Sequence, residues 1–235
     1  GALYSPEQVA AFKNGQAGYN YIDHIFNEPA LAQNYDLSIS GKSGKTSYLA
    51  SLRYENTEGI IKESVYKQYN WRLKLDTEIK KWVSVGLNLW GDYSETSGPR
   101  MTQYNGLLLS AINYAPTVEP KNDKGEYNNK FAINNNPAYN PMGHIENINT
   151  ANKRLNNRIQ GYVNFNILDG LTFRSQVGIT FANRLRNATH DENSYNYFAN
   201  TYTEASAASD WDFSFLNTNT LNYTKEFNKN HRINA

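Results

Sequence analysis

The residues best able to do chemistry are scattered along the chain. His24, His144, His190 and His231 stand far apart and make no i, i+4 ligand pair, so no metal site is expected. Cysteine is absent, which removes thiolate nucleophiles, thiolate metal sites and disulfides together. Asp191 and Glu192 are sequential neighbours rather than a facing pair, so they supply no carboxylate dyad for glycoside chemistry. NDKGE at 122–126 is the nearest approach to an oxygen-rich cation loop, but it lacks the D-x-D-x-D-G series and reads as a turn. No G-x-S-x-G, P-loop or dinucleotide fingerprint occurs. The expectation is a protein that is not an enzyme and carries no cofactor or metal.

Residues suited to binding are more plentiful. Tyr104, Tyr114, Tyr127, Phe131 and Tyr139 are interspersed with Asn134, Asn135, Asn136 and Asn140, and Tyr195, Tyr197, Phe198 and Tyr202 form a second group. Aromatic faces and amides suit the apolar face and hydroxyls of a sugar, and equally a peptide or a protein partner. Tyr104, Tyr114, Tyr127, Tyr139, Tyr195 and Tyr197 are therefore candidate substrate or partner contacts. The plainer explanation, that they pack a loop on itself, stays open.

These groups lie between strands. In YNWRLKLD, residues 69–76, Tyr69, Trp71, Leu73 and Leu75 share one face and Asn70, Arg72, Lys74 and Asp76 the other. The same period of two runs through YDLSIS, TSYLASLRYE, VSVGLNLWGDYS, RIQGYVNFNIL and LTFRSQVGITFA. Turns are expected near 43, 81, 169 and 229, and long connections at 56–65, 96–153 and 185–210. Strands of roughly 10 to 15 residues are implied, well beyond the ordinary 5 or 6. Before them, Ser5, Pro6 and Gln8 make a capping box and Gly15 a stop, predicting a helix over 6–14. The expected division is a lead-in over 1–32 and a β portion over 33–235.

Of the 235 residues, 23 are basic and 22 acidic, a formal charge of +1 that does not favour nucleic acid as a partner. Aromatics reach 14% with 18 Tyr, a β composition. No run approaches the ~18 apolar residues of a membrane helix. The chain opens GALYSPEQ and stops at HRINA in mid-pattern, which reads as an internal fragment.

An ordinary antiparallel sheet with one wet face also alternates. Long strands, strict alternation of short and long connections, and aromatics near strand ends together match an antiparallel transmembrane β-barrel segment of about eight strands. Lipid would then meet the apolar side. Arg72, Lys74, Asp76, Asn88, Asp92, Arg158, Asn164 and Arg174 would face the lumen.

The run QNYDLSISGKSGKTSYLASLRYENTEGIIKESVYKQYNWRLKLDTEIKKWVSVGLNLWGDYSET resembles the early barrel of the SusC/RagA-type TonB-dependent transporters of the Bacteroidetes outer membrane. The matching pieces are the Asn34–Gly41 strand, the Tyr48-centred strand, Glu58-Gly59-Ile60, Arg72-Leu73 and Gly86-Leu87-Asn88-Leu89. LNYTKEFNKNHRINA resembles another hairpin of that family. The resemblance implies a 22-stranded barrel in the bacterial cell outer membrane, with a plug, energised by TonB. It also implies a SusD-like lipoprotein partner and an oligosaccharide or peptide substrate. Neither plug nor TonB box lies in this sequence. The alternatives are a soluble β-sandwich carbohydrate-binding module and a diffusive porin.

Overall fold

Alternation from residue 32 onward leaves backbone N–H and C=O groups to pair between strands, and they do so in one continuous meander. The computed structural model describes residues 6–15, 18–99, 106–128, 131–133, 136–138, 140–190, 204–227 and 231–235. Eight strands form one antiparallel sheet: β1 (Ala32–Ser43), β2 (Thr46–Glu58), β3 (Val65–Lys80), β4 (Val83–Gly98), β7 (Ile148–Leu168), β8 (Leu171–His190), β9 (Glu204–Phe227) and β10 (His231–Asn234). The small strands β5 (Phe131–Ile133) and β6 (Asn136–Ala138) pair with each other. The helices are α1 (Pro6–Lys13), α2 (Tyr21–Ile25), α3 (Leu107–Asn113) and α4 (Pro141–Asn147). Only the first of these helices is anticipated by the sequence.

Three hairpins close tightly, at Gly44–Lys45, Lys81–Trp82 and Asp169–Gly170. Gly170 has φ +80°, and a Cβ there would meet the Thr224 carbonyl oxygen at 2.1 Å, so the turn admits only glycine. The turn expected near 229 lies outside the described residues. The connection expected at 56–65 narrows to 59–64 and that at 96–153 to 99–147. The ends of the third, 185–190 and 204–210, belong to β8 and β9. The strands are accordingly longer than expected, reaching 21, 20 and 24 residues in β7, β8 and β9.

The register is staggered. Thr46 opposes Thr77, yet β3 runs three residues further, to Lys80. Val83 opposes Phe165, and β7 again runs three further, to Leu168. Leu171 opposes Tyr223, and β9 continues four further, to Phe227. A step of ~10 Å along the strands for every two strand spacings of ~4.8 Å inclines the strands by ~45°, the tilt a closed membrane barrel uses.

Residues paired across the ladders share a face, and the apolar positions form continuous rows. One runs Ile39, Ala50, Leu73, Leu89, Ile159, Ile179, Phe215; another Leu75, Leu87, Gly161, Val177. Nothing among the described residues covers this face: Leu37 and Phe213 are each 71% exposed and Trp211 67%. The hydrophobic core is elsewhere. Tyr21, Ile25, Ile61, Leu107, Ala111, Tyr114 and Ile145 cluster at the rim of the long connections, where α2, α3 and α4 pack on one another and, through α4, on β7.

Candidate functional site: the polar wall of the sheet

Two aromatic bands frame the apolar face. At one end Tyr35, Tyr54, Tyr69 and Tyr93 stand side by side on four strands, with ring centroids 6.2, 4.8 and 6.2 Å apart. At the other, Trp82, Phe165 and Phe173 are spaced 6.3 and 6.3 Å. On β4 the bands are about ten residues apart, or ~24 Å after tilt, close to the height of the apolar belt of a membrane barrel.

The opposite face carries Arg72, Lys74, Asp76, Asn88, Asp92, Arg158, Asn164 and Arg174, brought together by the register of β3, β4, β7 and β8. A brace crosses four strands there. The Tyr162 hydroxyl, on β7, donates to the Asp76 carboxylate on β3, reaching over β4 at Gly86. A Cβ on Gly86 would lie 2.2 Å from the Tyr162 ring, so the missing side chain is what lets the phenol cross. Lys74 Nζ sits 3.1 Å from Asp76, and the Arg174 guanidinium stacks 3.8 Å from the Tyr162 ring centre. Arg174 also donates to Gln176 at 3.1 Å, while Asn164 donates to Ser84 at 3.1 Å. Above the brace, Asn156 donates to Asp92 at 2.9 Å. The buried Asn88 Oδ1 finds no partner among the described residues.

Neither Tyr162 nor Trp90, which shares this face, is singled out by sequence. Both are aromatics standing on the polar register, and that break of phase is the signal that could have found them.

The loop candidates fare differently. Tyr104, Tyr139, Tyr195 and Tyr197 lie outside the described residues. Tyr114 is 3% exposed; its hydroxyl donates to the Asn128 carbonyl and its ring meets Tyr21 edge-on at 4.8 Å. Burial pushes the phenols of Tyr114 and Tyr21 well above the usual range. Tyr127 donates to the Glu146 carboxylate and carries Lys121 Nζ 4.4 Å over its ring. Both described tyrosines thus hold the loop together. NDKGE closes on itself, with Asn122 Oδ1 accepting from the amides of Lys124 at 2.9 Å and Glu126 at 3.0 Å. His24 stacks on Tyr19 at 4.3 Å and His144 is buried in α4; among the described residues no three metal-ligating side chains group together.

No family model matches the chain. Among curated proteins it is 30% identical over 216 residues to TonB-dependent receptor P26 of Formosa agariphila, covering 88% of this chain and 20% of that protein. It is 25% identical over 214 residues to TonB-dependent receptor P39 of the same organism, covering 90% of this chain and 20% of that one. The curated relatives that it matches are TonB-dependent receptors, and the chain is similar to one stretch of them. It spans about a fifth of the length of these relatives. The fold agrees with solved structures of the RagAB peptide importer in its closed-closed state and of the RagAB peptide transporter. TM-scores are 0.72 and 0.73 at 22% and 21% identity; the matches cover 92% and 93% of this chain and 24% and 25% of those chains. The eight-stranded sheet thus has the fold of a barrel segment of these proteins, as the resemblance of the run from Gln33 implies.

Proposed function

We propose that this chain is part of the barrel of a TonB-dependent importer in the bacterial cell outer membrane. It would work with a SusD-like surface lipoprotein and take up glycans or peptides. The observation that carries the reading is the sheet itself: an uncovered apolar face banded by aromatics at both ends, backed by a braced polar face. Residues 33–235 would be barrel wall and 1–32 a lead-in. Arg72, Lys74, Asp76, Asn88, Asp92, Arg158, Asn164 and Arg174 would line the lumen, and the apolar rows would touch lipid. RagAB's description as a peptide importer favours a peptide; the aromatic and amide loops suit a glycan equally.

A soluble carbohydrate-binding module would have to bury the apolar rows against a second layer, and no described residue provides one. A diffusive porin shares the wall but needs no energy. Deleting the gene should abolish uptake of its nutrient, and removing TonB should do the same. Uptake that persists without TonB would leave the porin and remove the importer.

A further inference from the structure

Several cations on the polar wall have partners, while Lys42, Arg184 and Arg232, each exposed, have no ion pair or hydrogen bond among the described residues. Lys74 meets Asp76 at 3.1 Å, Arg53 lies 3.8 Å from Asp36, Arg186 2.8 Å from Asp210, and Arg174 is held by Gln176 and Tyr162. Arg72 and Arg158 do not: both are exposed, and among the described residues neither forms an ion pair or a hydrogen bond. The register places them on either side of Trp90, Arg72 directly opposite it on β3 and Arg158 directly opposite it on β7. Their backbones are two strand spacings apart, ~10 Å, so both long side chains can converge above the indole between them. The acids flanking them on this face are engaged elsewhere, Asp76 by Tyr162 and Lys74 and Asp92 by Asn156.

A guanidinium presents a planar fork that meets both oxygens of a carboxylate, and an indole offers a flat apolar surface beside it. We propose that Arg72, Trp90 and Arg158 form a binding station for a carboxylate-bearing ligand, its carboxylate between the guanidiniums and an adjoining flat apolar surface against the indole. The inference rests on reading this face as the lumen wall, and gives that lumen a chemical preference. A carboxylate can come from passing substrate or from an acidic side chain elsewhere in the same protein; the station is assigned to substrate.

The test uses the full-length protein in detergent, with benzoate as probe and benzamide as its uncharged counterpart, followed by saturation-transfer NMR at low salt. Benzoate should bind and benzamide bind about tenfold more weakly or worse. Arg72→Gln and Arg158→Gln should each weaken benzoate by about tenfold, and Trp90→Leu should weaken both probes. Unchanged thermal unfolding of the variants shows that the wall is intact. Equal binding of the two probes, or benzoate binding unaltered in the double arginine variant, overturns the proposal. So does failure of the intact protein to bind benzoate, which hands the arginines to a carboxylate of its own. TonB-dependent uptake is scored separately: if it survives while benzoate binding is absent, the station falls and the importer stands.

Discussion

Gly86 leaves open the space that Tyr162 fills on its way to Asp76. Gly86→Val should therefore evict the ring and destabilise the protein by about 1–3 kcal/mol, read from thermal unfolding in detergent. Adding Tyr162→Ala should recover part of the loss, because the clash disappears with the ring; an additive loss would mean the two residues act independently. Tyr162→Phe keeps the packing and removes one hydrogen bond, so about 1 kcal/mol is expected. At this scale the sequence is legible where period two leaves no choice of face, as for Arg72, Lys74 and Asp76. It is opaque at Trp90 and Tyr162, whose aromatic character argues for one face and whose position dictates the other. Composition likewise cannot separate a tyrosine that binds from one that packs: the Tyr114 hydroxyl donates to the Asn128 carbonyl and its ring meets Tyr21.

Adjacent residues on β7 provide the sharpest test of the two faces. Ile159 opposes Leu89 and Ile179, whereas Gln160 opposes Asn88 and Gly178. Ile159→Lys should cost about 2–4 kcal/mol of membrane stability and Gln160→Lys close to nothing, measured by folding into lipid vesicles. Equal effects would mean that the faces are not distinguished by lipid. The helical cap makes a second prediction. Tyr21 and Tyr114 hold their protons more tightly folded than unfolded, mainly through burial, so cap stability is complete below their ordinary value of 10.0 and falls as pH rises beyond it. Tyrosinate absorbance should show Tyr21 and Tyr114 ionising after the exposed tyrosines, together with protease cutting in 107–113; their ionising with the exposed tyrosines would mean an open cap. The hairpin turns are legible through Gly44 and Gly170. The strand ends are not, because β7 and β8 continue pairing through polar stretches such as Asn149 to Lys153 and Arg186 to Thr189, where the ladder persists after the apolar period stops. α4 starts at a cap that the sequence reading passes over: Asn140 Oδ1 accepts from the Met142 amide at 3.0 Å with Pro141 at the first helical position.

Among the described residues the sheet has two edges, β1 and the four-residue β10, and an apolar face with nothing over it. Both are tolerable only if further strands continue the wall and lipid covers the face. Produced alone in water, the chain should self-associate, and size-exclusion chromatography should yield a monomer only with detergent; a detergent-free monomer that melts cooperatively would contradict the membrane assignment. The barrel class is legible from sequence because alternation, strand length and turn spacing each report the same wall. The stagger of three or four residues per hairpin is invisible there, since it depends on which residue meets which. It has a mechanical consequence. In a wall whose strands slope, force applied along the pore is shared between chain tension and sliding of one strand past the next, so many hydrogen bonds must yield at once and no single seam can unzip.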